Sequence, residues 1–306
     1  MKWALNFTSW IRPAMAIFFV LTANACSRAG IILPTVPDGD YQAYAWNFPS
    51  VGYFAATSNL GYNFGGSGVL ISSSWVLTSG HSITSQPGLT ELKFSVAPST
   101  LGYPPNYVVA DSWYVHPGYN AGTPVGSGTD LALVHLSTPV TSVAPATLYT
   151  GSLTTGTPVN MVGYGGLGVY PATSLTFDGI RRAGTNTIYS MGSVTLGVQP
   201  QYALTEFNPN GPLTTSLEFG LSPGDSGGGW FINDNGEMKL VAITSFEFSS
   251  YAYAGGITIG NEMAWIETTT SFAAVPEPPT WIMTMVGIPL LILISRKQAR
   301  RQASTG

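Results

Sequence analysis

The chain has 306 residues, of which 44% are hydrophobic and only 8% are charged, a length suited to one large or two modest domains. Between residues 31 and 274 it carries four basic and fourteen acidic side chains. We therefore expect no nucleic acid as a partner, because binding to phosphates needs a basic face. Its 36 glycines and 22 prolines favour many short strands and turns over long helices.

The first 25 residues have the pattern of an export signal. Lys2 and Arg12 precede the apolar run 14–21, and small residues follow at Ala23-Asn-Ala25. The pattern predicts a signal peptide over residues 1–25 that a signal peptidase removes.

Residues 26–44 form a lead-in to the folded body, and the turn-rich stretch from Asp38 to Ser58 predicts an irregular entry followed by a first strand. Cys26, the only cysteine, directly follows the predicted cleavage point and could carry a lipid, although Ala-Asn-Ala is a poor lipoprotein box. A single cysteine cannot form an intramolecular disulfide, so the exported domain must rest on its hydrophobic core.

Two short strands come next, at Phe64-Gly-Gly-Ser-Gly-Val-Leu-Ile71 and at Trp75-Val-Leu77. The second strand delivers His81 to a loop. This is the best context among the three histidines, because His116 precedes a turn proline and His135 lies within a strand. We therefore interpret His116 and His135 as structural.

Asp130 opens the apolar strand Thr129-Asp-Leu-Ala-Leu-Val-His-Leu136. An aspartate at the head of such a run is drawn into the interior, where it needs a hydrogen-bond partner to offset its desolvation. The N–H of His81 is the natural partner. Asp111 is the alternative acid, although it precedes a surface-type His-Pro-Gly-Tyr turn.

A Ser/Thr/Pro-rich connection from about residue 141 to 157 separates these strands from a second set. The second set comprises strands at 159–165 and 179–188, a hairpin over 230–243 with Asn235-Gly236 at its tip, a strand at 255–259 and a short closing helix at 261–267. The sequence shows no internal repeat and no metal-ligand cluster, so we expect no metal and no cofactor.

The stretch Leu221-Ser-Pro-Gly-Asp-Ser-Gly-Gly-Gly-Trp-Phe231 places a small nucleophile, Ser226, between glycines. A serine hydroxyl needs a base to take its proton, and the oxyanion that it generates needs donors already aimed at it. Without a Cβ at Gly224, the backbone can turn so that its N–H and that of Ser226 converge as an oxyanion hole. A glycine-rich turn between strands is the alternative interpretation.

Three segments resemble those of trypsin-like (chymotrypsin-fold) serine peptidases. They are Thr78-Ser-Gly-His81, Asp130-Leu-Ala-Leu133 and Gly224-Asp-Ser-Gly-Gly228, in the family's chain order. The resemblance covers residues 45–270 and implies an all-β fold of two six-stranded antiparallel barrels with a short C-terminal helix. It also implies that Ser226 is the nucleophile, that His81 is its base and that Asp130 orients the imidazole.

The same resemblance implies a substrate pocket formed by Gly220, Ser245, Phe246 and Glu247. Gly220 stands at the pocket base, where an aspartate would select basic residues, so we expect an uncharged, apolar residue before the scissile bond. Glu247 replaces a glycine of the pocket wall and could either narrow the pocket or restore a preference for basic residues.

Asp225 departs from the family pattern in its surroundings. The sequence between Asp38 and Tyr53 contains no clear Ile-Val-Gly-Gly activation site, so Asp225 lacks the newly freed amino terminus that pairs with it in the family. Arg181 or Arg182 is the expected replacement.

The C-terminal residues 275–301 resemble a PEP-CTERM sorting signal. Val275-Pro-Glu-Pro-Pro279 precedes an apolar run, for which we predict a transmembrane segment over 281–294. The basic residues after it are Arg296, Lys297, Arg300 and Arg301. The resemblance implies processing by an exosortase in a Gram-negative bacterium, and an ordinary single-span anchor is the alternative.

Together these features predict a secreted serine endopeptidase that hydrolyses protein or peptide substrates through an acyl-enzyme. We expect it in the cell envelope, at the cell surface or in the extracellular matrix, after transient anchoring in the inner membrane. The alternative is a catalytically inactive, surface-anchored binding protein of the chymotrypsin fold. Intact Ser226, His81 and Asp130 argue against that alternative, because a binding protein does not need all three.

Overall fold

The computed structural model describes residues 30–61, 63–100, 106–120, 129–193, 202–248 and 251–270. The predicted signal peptide, Cys26 and the predicted sorting signal lie outside these residues and stay predictions. Within the described part of the chain, no helix is long and apolar enough to cross a membrane.

Short strands dominate the described residues. In chain order the elements are β1 (Ile31–Ile32), α1 (Asp38–Tyr44), β2 (Val51–Ser58), β3 (Asn63–Ser72), β4 (Trp75–Thr78), α2 (Gly80–Thr84), β5 (Leu89–Ser95), β6 (Val108–Val115), β7 (Ala132–Leu136), β8 (Thr147–Leu148), β9 (Pro158–Gly163), β10 (Gly168–Val169), β11 (Arg182–Gly192), β12 (Tyr202–Glu206), β13 (Phe219–Gly220), β14 (Gly229–Asp234), β15 (Glu237–Phe248), β16 (Tyr253–Thr258) and α3 (Met263–Thr270).

The first barrel is a closed antiparallel sheet in the order β2-β3-β4-β7-β6-β5. Successive side chains of a strand point to opposite faces, and at Val69–Leu70 of β3 and Val76–Leu77 of β4 both faces are buried. Leu70 and Val76 fill the barrel interior, whereas their neighbours Val69 and Leu77 join the core shared with the second barrel. This double burial explains why these strands read as continuous apolar runs.

The second barrel follows the order β14-β9-β11-β12-β16-β15 and closes through a β14–β15 pairing, with β8 added in parallel along β15. Trp230 is fully buried in it, and its indole N–H donates to Thr244 Oγ1 at 3.0 Å. Asn235 and Gly236 form the β14–β15 hairpin tip with φ of 55° and 93°, the left-handed values of a type I′ turn. The prediction of two six-stranded antiparallel barrels is therefore confirmed.

The short C-terminal helix is also confirmed. A 3-10 turn at Gly260–Glu262 leads into α3, and Ile266 of this helix is fully buried in the core shared by both barrels. The chain therefore ends its described part by packing across the junction of the barrels.

The lead-in differs from the irregular entry that the sequence predicted, because residues 38–44 form the helix α1. Arg182 of β11, whose side chain is fully buried, donates to Asp38 at 2.5 Å and to Asp178 at 2.9 Å. Burial opposes the ionised form of Asp38, but the Arg182 guanidinium overcomes this and lowers the pKa of the carboxyl. The partly buried ion pair between Arg182 and Asp38 anchors α1 to the second barrel.

Candidate active site

Strand pairing brings His81 and Asp130 together. β4 and β7 are hydrogen-bonded neighbours, with Thr78 opposite Ala132. His81 lies on α2, just after β4, and Asp130 lies just before β7, so both leave the same end of the first barrel. Ser226 comes from the loop between β13 and β14 of the second barrel, and the site therefore spans the junction of the barrels.

The three side chains form a continuous hydrogen-bonded chain. His81 Nδ1 lies 2.7 Å from Asp130 Oδ2, and His81 Nε2 lies 2.8 Å from Ser226 Oγ. Asp130 also accepts the backbone N–H of His81 at 2.7 Å on its other oxygen. Because an ionised Asp130 can only accept, Nδ1 carries the imidazole proton and Nε2 is left to accept from Ser226.

Asp130 accepts a third hydrogen bond, which the sequence did not reveal. Ser245, predicted only as a pocket residue, donates its hydroxyl to Asp130 Oδ2 at 2.5 Å. Burial would raise the pKa of Asp130, but its bonds with His81 and Ser245 outweigh burial and hold that pKa below its usual value. The acid of the triad is therefore kept ionised although its side chain is only 7% exposed.

The other candidates lie elsewhere. Asp111 is bound to His135 Nδ1 at 2.7 Å on the outer surface of the first barrel. His116 Nε2 lies 3.1 Å from Glu262, and its ring stacks edge-on against Trp265. The structure thus brings His81 together with Asp130 and not with the alternative acid Asp111.

Two backbone hydrogen bonds orient the N–H groups of Gly224 and Ser226. The carbonyl of Pro223 accepts from Gly166 N at 2.9 Å, and that of Asp225 accepts from Gly228 N at 2.8 Å. In a trans peptide the N–H points away from the carbonyl, so both N–H groups are turned away from these bonds. Gly224 adopts φ of 97°, which a residue with a Cβ rarely adopts, so its glycine identity matters for the direction of this backbone.

Comparison with known proteins assigns the family. The family model described as Trypsin matches residues 38–266. The chain belongs to the trypsin family. A solved structure titled "HL collagenase structure at 1.7A resolution" shares its fold with a TM-score of 0.57 and 17% identity, over 74% of this chain and 94% of that one. No curated protein sequence matches the chain.

Asp225 differs in its partners from the expectation drawn from the trypsin family, and neither arginine replaces the missing amino terminus. Arg182 is bound to Asp38 of α1 and to Asp178, and Arg181 donates to the carbonyl of Val51 at 2.7 Å. The prediction of an Arg181 or Arg182 partner was wrong, because these side chains point to other elements. Asp225 instead accepts the backbone N–H groups of Gly165 at 2.8 Å and Ser222 at 2.9 Å.

No cationic side chain pairs with Asp225 in the described ranges. Its side chain is completely buried. Burial, with a smaller contribution from the charge of Glu247, raises the pKa of Asp225 to about 7, although its hydrogen bonds oppose the rise. A carboxyl that titrates near neutral pH therefore lies next to Ser226.

The expected pocket residues lie on two strands. Gly220 of β13 is buried, and a Cβ added there would lie 3.1 Å from Phe207 and 3.3 Å from Ile31, so its surroundings are apolar. Phe246 on β15 covers Gly255, where an added Cβ would overlap its ring. Ser245, beside Asp130, ties this end of β15 to the triad.

Glu247 is partly exposed and forms no ion pair among the described residues. Burial raises the pKa of its carboxyl, and a positive charge on His81 would partly oppose this rise. Glu247 is therefore near enough to the triad for its carboxyl to interact electrostatically with His81. In the described part of the chain, no group of three residues could hold a metal ion.

Proposed function

We propose that this member of the trypsin family is an exported serine endopeptidase that uses Ser226, His81 and Asp130. The observation that carries the proposal is the uninterrupted hydrogen-bonded chain from Ser226 Oγ through the imidazole to Asp130. A binding protein of the same fold would gain nothing from an aligned base and nucleophile. Membership of a peptidase family and the orientation of the two N–H groups support the same conclusion.

The reaction follows from this geometry. Ser226 Oγ bonds to the carbonyl carbon of the substrate while His81 Nε2 takes the hydroxyl proton. The negative charge that develops on the carbonyl oxygen lies against the N–H groups of Gly224 and Ser226. Collapse of this intermediate breaks the C–N bond, and His81 gives its proton to the leaving amine.

Hydrolysis of the acyl-enzyme repeats these steps with water as the nucleophile. His81 accepts a proton from the water and returns it to Ser226 Oγ as the acid product leaves. Asp130 remains ionised throughout and stabilises the imidazolium that forms in each half of the reaction. No cofactor is needed for any step.

For the substrate, we propose a small or medium apolar residue before the scissile bond. Gly220 brings no charge to the pocket base, and its neighbours Phe207 and Ile31 are apolar, so a buried cation there would be unpaired. Glu247 could offer a partner from the wall. Because Glu247 is partly exposed, its carboxylate can remain solvated rather than enter the pocket.

Labelling with a fluorophosphonate tests the proposed chemistry. The reagent should modify Ser226 in the purified protein, and Ser226→Ala should lose labelling and reduce proteolysis by several orders of magnitude, since only binding and oxyanion effects persist. Ser112→Ala, which removes a serine hydroxyl from β6, is the matched control and should keep full activity. Undiminished proteolysis by Ser226→Ala would reject the assignment.

For location, we propose export through the N-terminal signal peptide, followed by anchoring through residues 281–294 in the inner membrane. Signal peptidase and an exosortase are the proposed processing partners, and the destination is the surface or extracellular matrix of a Gram-negative bacterium. The order of Pro-Glu-Pro, apolar run and basic cluster in the sequence supports this proposal.

A further inference from the structure

Ser67 of the first barrel contacts the loop that carries Ser226. It lies on β3, is fully buried, and belongs to the Gly-Gly-Ser-Gly segment of that strand. Its backbone N–H donates to the carbonyl of Ser226 at 2.9 Å. Its hydroxyl donates to the carbonyl of Gly224 at 3.0 Å and accepts the N–H of Tyr164 at 2.9 Å.

Ser67 contacts the backbone of both residues that form the proposed oxyanion hole. Ser67 binds the carbonyls of Gly224 and Ser226, the same two residues whose N–H groups are the proposed oxyanion donors. The Gly224 carbonyl accepts a hydrogen bond from Ser67, and the preceding carbonyl, that of Pro223, accepts one from Gly166. A glycine has unusual backbone freedom, so this double restraint fixes the direction of its N–H.

The hydroxyl is the part of Ser67 that another residue cannot easily replace. Any residue except proline could supply the backbone N–H at position 67, whereas the small serine hydroxyl donates to Gly224 and accepts from Tyr164 through a single oxygen atom. Thr78 of β4 also holds β3 at this position, because the Thr78 hydroxyl donates to the carbonyl of Ser67 at 2.8 Å. The donor is therefore held on a rigid strand.

We infer that Ser67 is a positioning residue that orients the Gly224 N–H toward the oxyanion of the transition state. The inference rests on the proposed peptidase function of Ser226. The Ser67 hydroxyl should affect the chemical step rather than substrate binding, because it is buried and contacts backbone groups of Gly224 and Tyr164. Loss of the hydroxyl should therefore lower kcat and leave KM nearly unchanged.

The test compares Ser67→Ala and Ser67→Cys with the unaltered protein, using a p-nitrophenyl ester and the rate of fluorophosphonate labelling at Ser226. A thiol nearly preserves the volume of the hydroxyl but is a weak donor and acceptor. Removing an entire oxyanion donor costs about 100- to 1000-fold in kcat, so a misaligned donor should cost about 10- to 100-fold in both variants. KM should change by less than about twofold.

Ser95→Ala is the matched control, since it removes a buried hydroxyl of β5 that contacts Ala97 and not the loop. It should keep the kcat of the unaltered protein. If Ser67→Cys has unaltered kcat, or if either variant changes KM rather than kcat, the inference is wrong. If the unaltered protein fails to label at Ser226, the proposed function fails instead, so the two failures are distinguishable.

Discussion

At the scale of single residues, Gly220 and Glu247 carry opposite expectations for the residue before the scissile bond. We predict that a peptide library will show cleavage mainly after small or medium apolar residues, because Gly220 itself brings no charge and its nearest side chains, Phe207 and Ile31, are apolar. Glu247→Gln should leave this profile essentially unchanged. Dominant cleavage after Arg or Lys that disappears in Glu247→Gln would contradict the prediction and show that the wall carboxylate selects the substrate.

Asp225 should make stability depend on pH. Because burial raises its pKa to about 7, the folded state keeps a proton that the unfolded state, with a pKa near 3.8, has already released. The stabilisation is complete below pH about 4 and is lost as pH rises through about 7. Urea unfolding from pH 4 to 8 should show the unaltered protein losing stability relative to Asp225→Asn by a few kcal/mol.

The exposed Asp40 of α1 provides a control for removing one carboxylate. Asp40→Asn should follow the unaltered protein across the same pH range. A constant difference in free energy between the unaltered protein and Asp225→Asn from pH 4 to 8 would show that Asp225 does not titrate there.

At the scale of elements, two exposed glycines should respond in opposite directions to alanine. A Cβ at either Gly39 or Gly236 would meet nothing within 4 Å, so only backbone conformation differs. Gly39→Ala in α1 should stabilise the protein by about 0.5–1 kcal/mol. Gly236→Ala should destabilise it by about 1–2 kcal/mol, because φ of 93° at the β14–β15 tip is left-handed. Urea denaturation measures both, and a stabilising Gly236→Ala would refute the turn argument.

At the scale of the whole molecule, the tail should be absent from the mature protein. We predict cleavage near Val275-Pro-Glu-Pro278, so mass spectrometry of the protein from its native host should find no residue beyond about 280. The reason is the order of the motif, apolar run and basic cluster, which is typical of a processed sorting signal. An intact Arg300 in the surface fraction would count against this, and would favour a permanent single-span anchor.

Much of the fold could be predicted because its signals are local. The Asn235-Gly236 hairpin tip requires two left-handed residues in succession, a requirement written in adjacent positions. The helix α1 was missed because it is short, begins after Pro37 without a side-chain cap and depends on Arg182, far along the chain. Tertiary contact rather than helix propensity stabilises that segment.

The sequence by itself determined the candidate nucleophile, base and acid, because Ser226, His81 and Asp130 each lie in a local motif whose residue types suit one role. The match to the trypsin family and the two barrels agree with the family resemblance of these motifs. Only the tertiary structure decided the partners of Asp225 and of the two arginines, and the contacts of Ser67. These interactions join residues far apart in the chain, and their geometry depends on how the two barrels pack, which no local pattern encodes.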